Sequence, residues 1–229
     1  MVSYMNMLRH SLFTLLLAAM LSACSHPSGG PSTQPAQNQE TKIQNLSLPV
    51  ILAFGDSLTA GHGVEQTDSY PAQLQRELDR RGFNYRLVNA GVSGDTTSGG
   101  LSRIDSALAS KPKIVIVELG ANDGMRGLPV VETKRNLEQI VARCQQAGAS
   151  VVLAGMTLPL NYGEDYIHSF EQLFPDVARQ YKTVLMPFFL EDVAAKPNLN
   201  QEDFIHPTAA GYTIIVGNLM RYLEPMLQR

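Results

Sequence analysis

Five short apolar runs, with helical patterns between and after them, constrain this chain more than any other feature in it. The runs are "PVILAF" from Pro49, "YRLVNA" from Tyr85, "KIVIVEL" from Lys113, "SVVLAG" from Ser150 and "TVLMPF" from Thr183. They are short, rich in β-branched residues and continuously apolar, so they read as buried strands. Between and after them lie helical patterns. "DSYPAQLQRELDRRG" carries an Asp68/Ser69 cap, Pro71 in its first turn and Gly82 at its stop. "VETKRNLEQIVARCQQAG" is amphipathic and ends at Gly148, with Cys144 on the apolar stripe of Leu137, Ile140 and Val141. A buried thiol is the reading for Cys144. "EDYIHSFEQLFPDVARQY" predicts a helix interrupted at Pro175. The last pattern, from Thr208, places Tyr212, Ile215, Leu219 and Leu223 along one side. Strand and helix alternating over the domain mean βαβ units: an α/β fold, a parallel sheet with helices on both faces.

In open parallel sheets, ligands bind outside the carboxyl ends of the strands. Four polar stretches stand at such places. They are "GDS" after the first run, "NAGVSGDT" after the second, "ELGANDG" after the third, and "EDFIHP" before the last helix. The net charge of −3 carries no basic surplus for a nucleic-acid partner.

A serine hydrolase needs a hydroxyl, a base, a carboxylate to orient the base, and donors for the oxyanion. Ser57 leaves a strand and opens a helix, where negative charge is favoured and backbone N–H groups are free. The same position suits a plain helix cap, and the local stretch alone does not decide between the two. Of the five histidines, His10 falls in the N-terminal signal and His26 in the linker behind it. His62 sits in a glycine-rich loop five residues from Ser57 and reads as solvated, as does His168 on a helix surface. His206 stands just before a helix, three residues after Asp203, a spacing that lets one turn present carboxylate and imidazole together. By itself that pair also fits an exposed acid and a histidine preceding a proline. Gly91 allows close backbone approach and offers its N–H; Asn122 offers a side-chain amide; each also fits an ordinary turn.

Taken together, "GDSL", "NAGVSGDT", "GAND" and "DFIHP", in this order, resemble the SGNH (GDSL) hydrolases, over the whole of residues 49–229. "VELGANDGMRGLP", "LPLNYG" and "MPFFLE" look like the bacterial periplasmic thioesterase, arylesterase and lysophospholipase branch. The resemblance implies a three-layer α/β/α, flavodoxin-like fold with a five-stranded parallel sheet in the order 2-1-3-4-5. It implies Ser57 as nucleophile, His206 as general base and acid, and Asp203 as the group that orients His206. The oxyanion hole would comprise the N–H groups of Ser57 and Gly91 and the side chain of Asn122. Neither metal nor organic cofactor is expected. Expected substrates are aryl and short-chain esters, acyl thioesters and lysophospholipids, hydrolysed by a monomer through an acyl-Ser57 intermediate. The loops after "GAND" and in "LPLNYG" make Met125, Leu128, Pro129, Leu158, Pro159 and Tyr162 candidate acyl contacts, with ordinary loop packing as the alternative. Two other readings keep the same residues: a carbohydrate acetylesterase, and a lipid- or glycan-binding lipoprotein without turnover. Competing motifs are absent: no G-x-S-x-G elbow, no P-loop and no H-E-x-x-H.

Residues 1–23 read as a signal peptide, with Arg9 ahead of the apolar "SLFTLLLAAM". "LSAC", ending at Cys24, resembles the bacterial lipoprotein box, which implies lipidation of Cys24, a membrane anchor and a periplasmic location, in the outer membrane of a Gram-negative cell. An ordinary signal cleaved near Ala23, leaving a soluble periplasmic protein, is the alternative. Residues 24–48 hold that cysteine and a Ser-, Pro-, Gly- and Gln-rich linker with an r.m.s. reach of roughly 25 to 30 Å.

Overall fold

The structure is a computed structural model, and it describes residues 48–228. The signal, the Cys24 anchor and the linker ahead of Leu48 lie outside the described residues.

Each apolar run forms a strand: β1 (Val50–Gly55), β2 (Arg86–Gly91), β3 (Ile114–Glu118), β4 (Ser150–Ala154) and β5 (Val184–Met186). All neighbouring strands pair in parallel, in the order β2-β1-β3-β4-β5. Every residue of β1 and β3 is buried. β2 departs from the expectation of a buried strand: it is half-exposed along its length, because it ends the sheet and has a neighbour on one side only.

The helices are α1 (Ser57–Ala60), α2 (Tyr70–Arg80), α3 (Thr97–Leu108), α4 (Ala121–Met125), α5 (Val130–Gln146), α6 (Glu164–Tyr181) and α7 (Ala209–Leu223). α2 packs against α7, and α5 packs between α3 and α6. The chain moves outward from β1 to β2, then crosses back to β3, β4 and β5. Right-handed crossovers in the two directions place α2 on one face and α3, α5 and α6 on the other.

Local details differ from the sequence reading in three places. Ser69 precedes α2, but its hydroxyl donates to the Gln66 carbonyl at 2.8 Å instead of capping the helix. α6 runs unbroken through Pro175. A proline inside a helix costs one hydrogen bond and a clash, about 3 kcal/mol. Burial of Phe170, Leu173, Phe174 and Val177 on the same helix outweighs it. Ser57 is not the cap of α1; that position belongs to Asp56, whose Oδ1 accepts from Leu58 N–H at 3.0 Å. Cys144, Tyr212, Ile215, Leu219 and Leu223 are all fully buried, as their spacing requires.

Candidate active site

Ser57 follows β1 and stands in the first turn of α1. The strand exits around it are tied by Arg103 of α3. Its guanidinium donates to Ala90 O (2.7 Å) and Gly55 O (2.9 Å), pairs with Asp95 at 2.7 Å and lies 4.1 Å over the Phe54 ring. One side chain therefore holds the ends of β1 and β2 together beside the serine.

The base comes from the far end of the chain. Nε2 of His206 is 2.9 Å from Ser57 Oγ, and Nδ1 is 2.6 Å from Asp203 Oδ2. The turn that presents them is built by Asp203 itself. Its Oδ1 accepts from the backbone N–H groups of Ile205 (2.9 Å) and His206 (3.0 Å). Burial pushes Asp203 up, but the backbone N–H of His206, its ring and the Ile205 N–H together bring the carboxyl down to about 2. Asp203 is thus ionised across the neutral range, fixing a proton on His206 Nδ1 and leaving Nε2 to take one from Ser57. The turn forces Phe204 into the left-handed region, at φ 59°. Behind it, Gln201 N–H donates to His206 O and Thr208 caps α7 through Gly211 N–H. His62, read from sequence as a solvated loop residue, is exposed but packs its ring 4.6 Å from that of His206.

The oxyanion donors divide. Ser57 N–H makes no hydrogen bond among the described residues and is free to donate. Asn122, on α4, gives one Nδ2 hydrogen to Asp56 Oδ2 at 2.9 Å and keeps the other. Gly91 does not fit the expected role. Its N–H is taken by Asn89 Oδ1 at 2.9 Å. A Cβ there would lie 2.2 Å from Ala60 N, so glycine is needed for β2 to pass against α1. Later in the same loop, Gly94 has an N–H with no partner among the described residues, while its carbonyl accepts from Arg126 at 2.8 Å. The expected help from a helix dipole also falls away, because α1 is a single turn. Individual N–H groups remain.

Beside Ser57 opens a cavity of about 480 Å³ whose walls are mainly apolar. That volume suits a small-molecule site. Of the expected acyl contacts, Met125, Leu158 and Pro159 line it. Leu128, Pro129 and Tyr162 do not. The Tyr162 hydroxyl donates to Met125 O (2.9 Å) and the Tyr166 hydroxyl to Leu128 O (2.7 Å), so these residues brace the loops from behind. Pro129 instead precedes α5, its carbonyl accepting from Glu132 and Thr133 N–H. Leu58, Met156, Phe188, Leu190, Phe204 and Ile205 are among the other residues that wall it. Phe188 and Leu190 lie in "MPFFLE", a segment whose part in a pocket no local pattern in the sequence signals.

A family model described as "GDSL-like Lipase/Acylhydrolase family" matches residues 53–214. "Esterase TesA" of Pseudomonas aeruginosa is 40% identical over 185 residues, covering 80% of this chain and 92% of that protein. "Thioesterase 1/protease 1/lysophospholipase L1" of Escherichia coli K12 is 36% identical over 178 residues, 77% of this chain and 84% of that one. Among solved structures, the psychrotrophic esterase EstA from Pseudoalteromonas, inhibited by monoethylphosphonate, superposes with a TM-score of 0.74 at 35% identity. It covers 77% of this chain and 97% of its own.

Proposed function

Because this chain belongs to the GDSL-like lipase/acylhydrolase family, we propose that it hydrolyses acyl esters and thioesters, lysophospholipids among them, through an acyl-Ser57 intermediate. The carrying observation is the Asp203–His206–Ser57 chain, at 2.6 and 2.9 Å, set at an apolar cavity beside an unpaired N–H. Ser57 Oγ attacks the acyl carbonyl carbon while its proton passes to His206 Nε2. The carbonyl oxygen becomes an oxyanion facing Ser57 N–H and the free Asn122 hydrogen, with Gly94 N–H as third donor in place of Gly91. The His206 imidazolium, held by Asp203, returns its proton to the leaving alcohol or thiol. Water, deprotonated by His206, then attacks the acyl-serine carbonyl and releases the acid and free Ser57.

The apolar lining supports an acyl chain as the group held in the cavity, and gives a sugar few hydrogen-bonding partners. Hydrolysis of p-nitrophenyl esters and labelling by a fluorophosphonate probe should both vanish in Ser57→Ala. Full activity in that variant would exclude the mechanism.

Residues 1–23 are a signal peptide in this reading, and residues 24–48 a tether from a lipidated Cys24 to a catalytic domain of residues 49–229 that acts as a monomer in the periplasm. No helix among the described residues is long and apolar enough to cross a membrane. Palmitate incorporation and membrane association lost in Cys24→Ser, with kcat on a soluble ester unchanged, are expected. A Cys24→Ser protein that stays with the membrane fraction would remove the anchor.

A further inference from the structure

Directly behind Ser57 lie two buried carboxyl groups that the reaction above does not use. Asp56 is 1% exposed and Glu118 0%. They stand at the ends of adjacent strands, where Gly55 of β1 pairs with Glu118 of β3. Both oxygens of Asp56 are committed as acceptors, Oδ1 to Leu58 N–H and Oδ2 to Asn122 Nδ2. Glu118 Oε2 is committed as well, accepting from the Thr59 hydroxyl at 2.7 Å and from Asp56 N–H at 3.3 Å. Glu118 Oε1 is buried with no hydrogen-bond partner. Glu118 Oε2 lies 3.3 Å from the main-chain N of Asp56, which places the two carboxyl groups beside each other.

Two ionised carboxylates this close and this dry would repel strongly, and an orphaned carboxylate oxygen would add its own desolvation cost. One proton removes both difficulties. Since Oε2 already accepts twice, Oε1 is the oxygen left to carry the proton. We propose that Glu118 is a positioning residue: it keeps one proton shared with Asp56, and so steadies the carboxylate that aims Asn122 at the oxyanion. Asp56 in this arrangement joins the turn of the nucleophile to the oxyanion donor, and Glu118 holds Asp56.

The surroundings fit a neutral Glu118. Burial raises it well above the ordinary carboxylate range, and the Asp56 charge raises it further. Burial likewise raises Asp56, against the Leu58, Glu118 and Asn122 hydrogen bonds. The other titratable groups acting on the pair are the buried phenols of Tyr70, from α2, and Tyr212, from α7, and the imidazole of His206. Tyr70 OH is 3.4 Å from Thr59 Oγ1. The carboxyl is also pressed against the main chain: a Cβ on Gly55 would lie 2.5 Å from Glu118 Oε2 and 2.1 Å from Thr59 Oγ1. The glycine ahead of Asp56 thereby leaves room for the glutamic acid as well as for the turn.

The role of Glu118 in turnover rests on the esterase reading, so one measurement is independent of it. Infrared difference spectra of the full chain carrying Ser57→Ala, with and without Glu118→Gln, should show a protonated-carboxyl C=O band at neutral pH that the glutamine removes. Absence of that band overturns the shared proton whether or not the chain hydrolyses any ester. Kinetics then test the positioning, with active sites counted by fluorophosphonate titration. Glu118→Gln can accept from Thr59 and donate to Asp56, so kcat should stay within about threefold of wild type. Glu118→Leu should lower kcat at least about tenfold with KM nearly unchanged, up to the 10²–10³ that loss of an oxyanion donor itself costs. In an Asn122→Ala background the leucine should cost less than about threefold further. Additive losses, or an unchanged kcat per titrated site, would overturn the role. If Glu118→Leu fails to fold, a tenfold loss of kcat in Glu118→Gln would overturn it.

Discussion

Ser57 does its work from inside a turn that its neighbour caps. Asp56 takes Leu58 N–H, which leaves Ser57 N–H unpaired and the Ser57 hydroxyl free to meet His206. Had Ser57 been the cap, its Oγ would have been committed to a backbone N–H and a poorer partner for the histidine. Asn122 shows the same economy of hydrogen bonds: one amide hydrogen fixes the side chain on Asp56, and the second is left for the oxyanion in the proposed mechanism. Asn122→Ala should lower kcat by about 10²–10³ while moving KM little, because the donor acts on charge that develops only in the transition state. Steady-state kinetics on a soluble ester would check this, and a loss below about threefold would remove Asn122 from the oxyanion hole. Ser57, Asn122, Asp203 and His206 could be singled out in the sequence because each stands in a short motif, and the fold brings Ser57, Asp203 and His206 within hydrogen-bonding distance. Gly91 was misread because its N–H partner, the Asn89 side chain, belongs to the same motif, and spacing does not tell which way a carbonyl or amide points. Glu118 was read only as a residue near the end of the third apolar run and as the first residue of "ELGANDG", with no role of its own. Nothing around it in sequence marks it as the neighbour of Asp56.

At the level of elements, the strand ends supply the chemistry and the loops supply the cavity. The segment between β5 and α7 does both, since it lines the pocket with Phe188, Leu190, Phe204 and Ile205 and carries Asp203 and His206. Three of its residues other than glycine have positive φ: Asp192 (65°), Ala195 (61°) and Phe204 (59°). Such backbone conformations cost energy locally and persist where the surrounding structure over-determines them. Here the Asp203 turn and the Asn200–Pro207 bridge hold the segment in place. Ala194, half-buried on the cavity wall, is a position where added volume must enter the cavity or solvent. Ala194→Trp should reduce kcat/KM for long acyl chains at least about tenfold, as several methylenes lose their burial at about 0.8 kcal/mol each, while acetyl esters are cleaved as before. A chain-length series checks it, and parallel loss on all lengths would mean that Ala194 faces the reacting centre instead of the acyl chain.

Across the whole molecule, charge and burial set opposing pH dependences. Asp203 and Glu77 are both held at about 2. Asp203 is lowered despite its burial by His206 and Ile205, and Glu77 by its hydrogen bonds to Arg80 and Arg81. Both side chains are partly exposed, 41% for Asp203 and 22% for Glu77, so solvent screens what they contribute. Their contribution is present above the unfolded carboxylate values and is lost as pH falls toward about 2. Asp56 runs the other way. Burial raises it to about 6, so its contribution is complete below about 3.9 and is lost as pH rises from there to about 6. Glu118 is raised in the same direction by burial and by the Asp56 charge, so its contribution is likewise lost as pH rises. The difference in Tm between Glu118→Gln and wild type should therefore shift in favour of glutamine as pH rises from about 4 to about 6. A difference that stays flat over this window would mean that the pair does not titrate as its burial demands. The chain's own order of apolar runs, caps and glycines determined an α/β fold, its parallel sheet and the short motifs that carry Ser57, Asp203 and His206. These are properties of periodicity and of residue types at strand exits, readable one segment at a time. Tertiary structure alone decided that Gly91 N–H is spent, that His62 packs on His206, which loops wall the cavity, and that Asp56 and Glu118 are buried side by side. The first depends on the orientation of a side chain two residues away and the others on the distance and burial of groups far apart in the chain, and a linear pattern carries none of these.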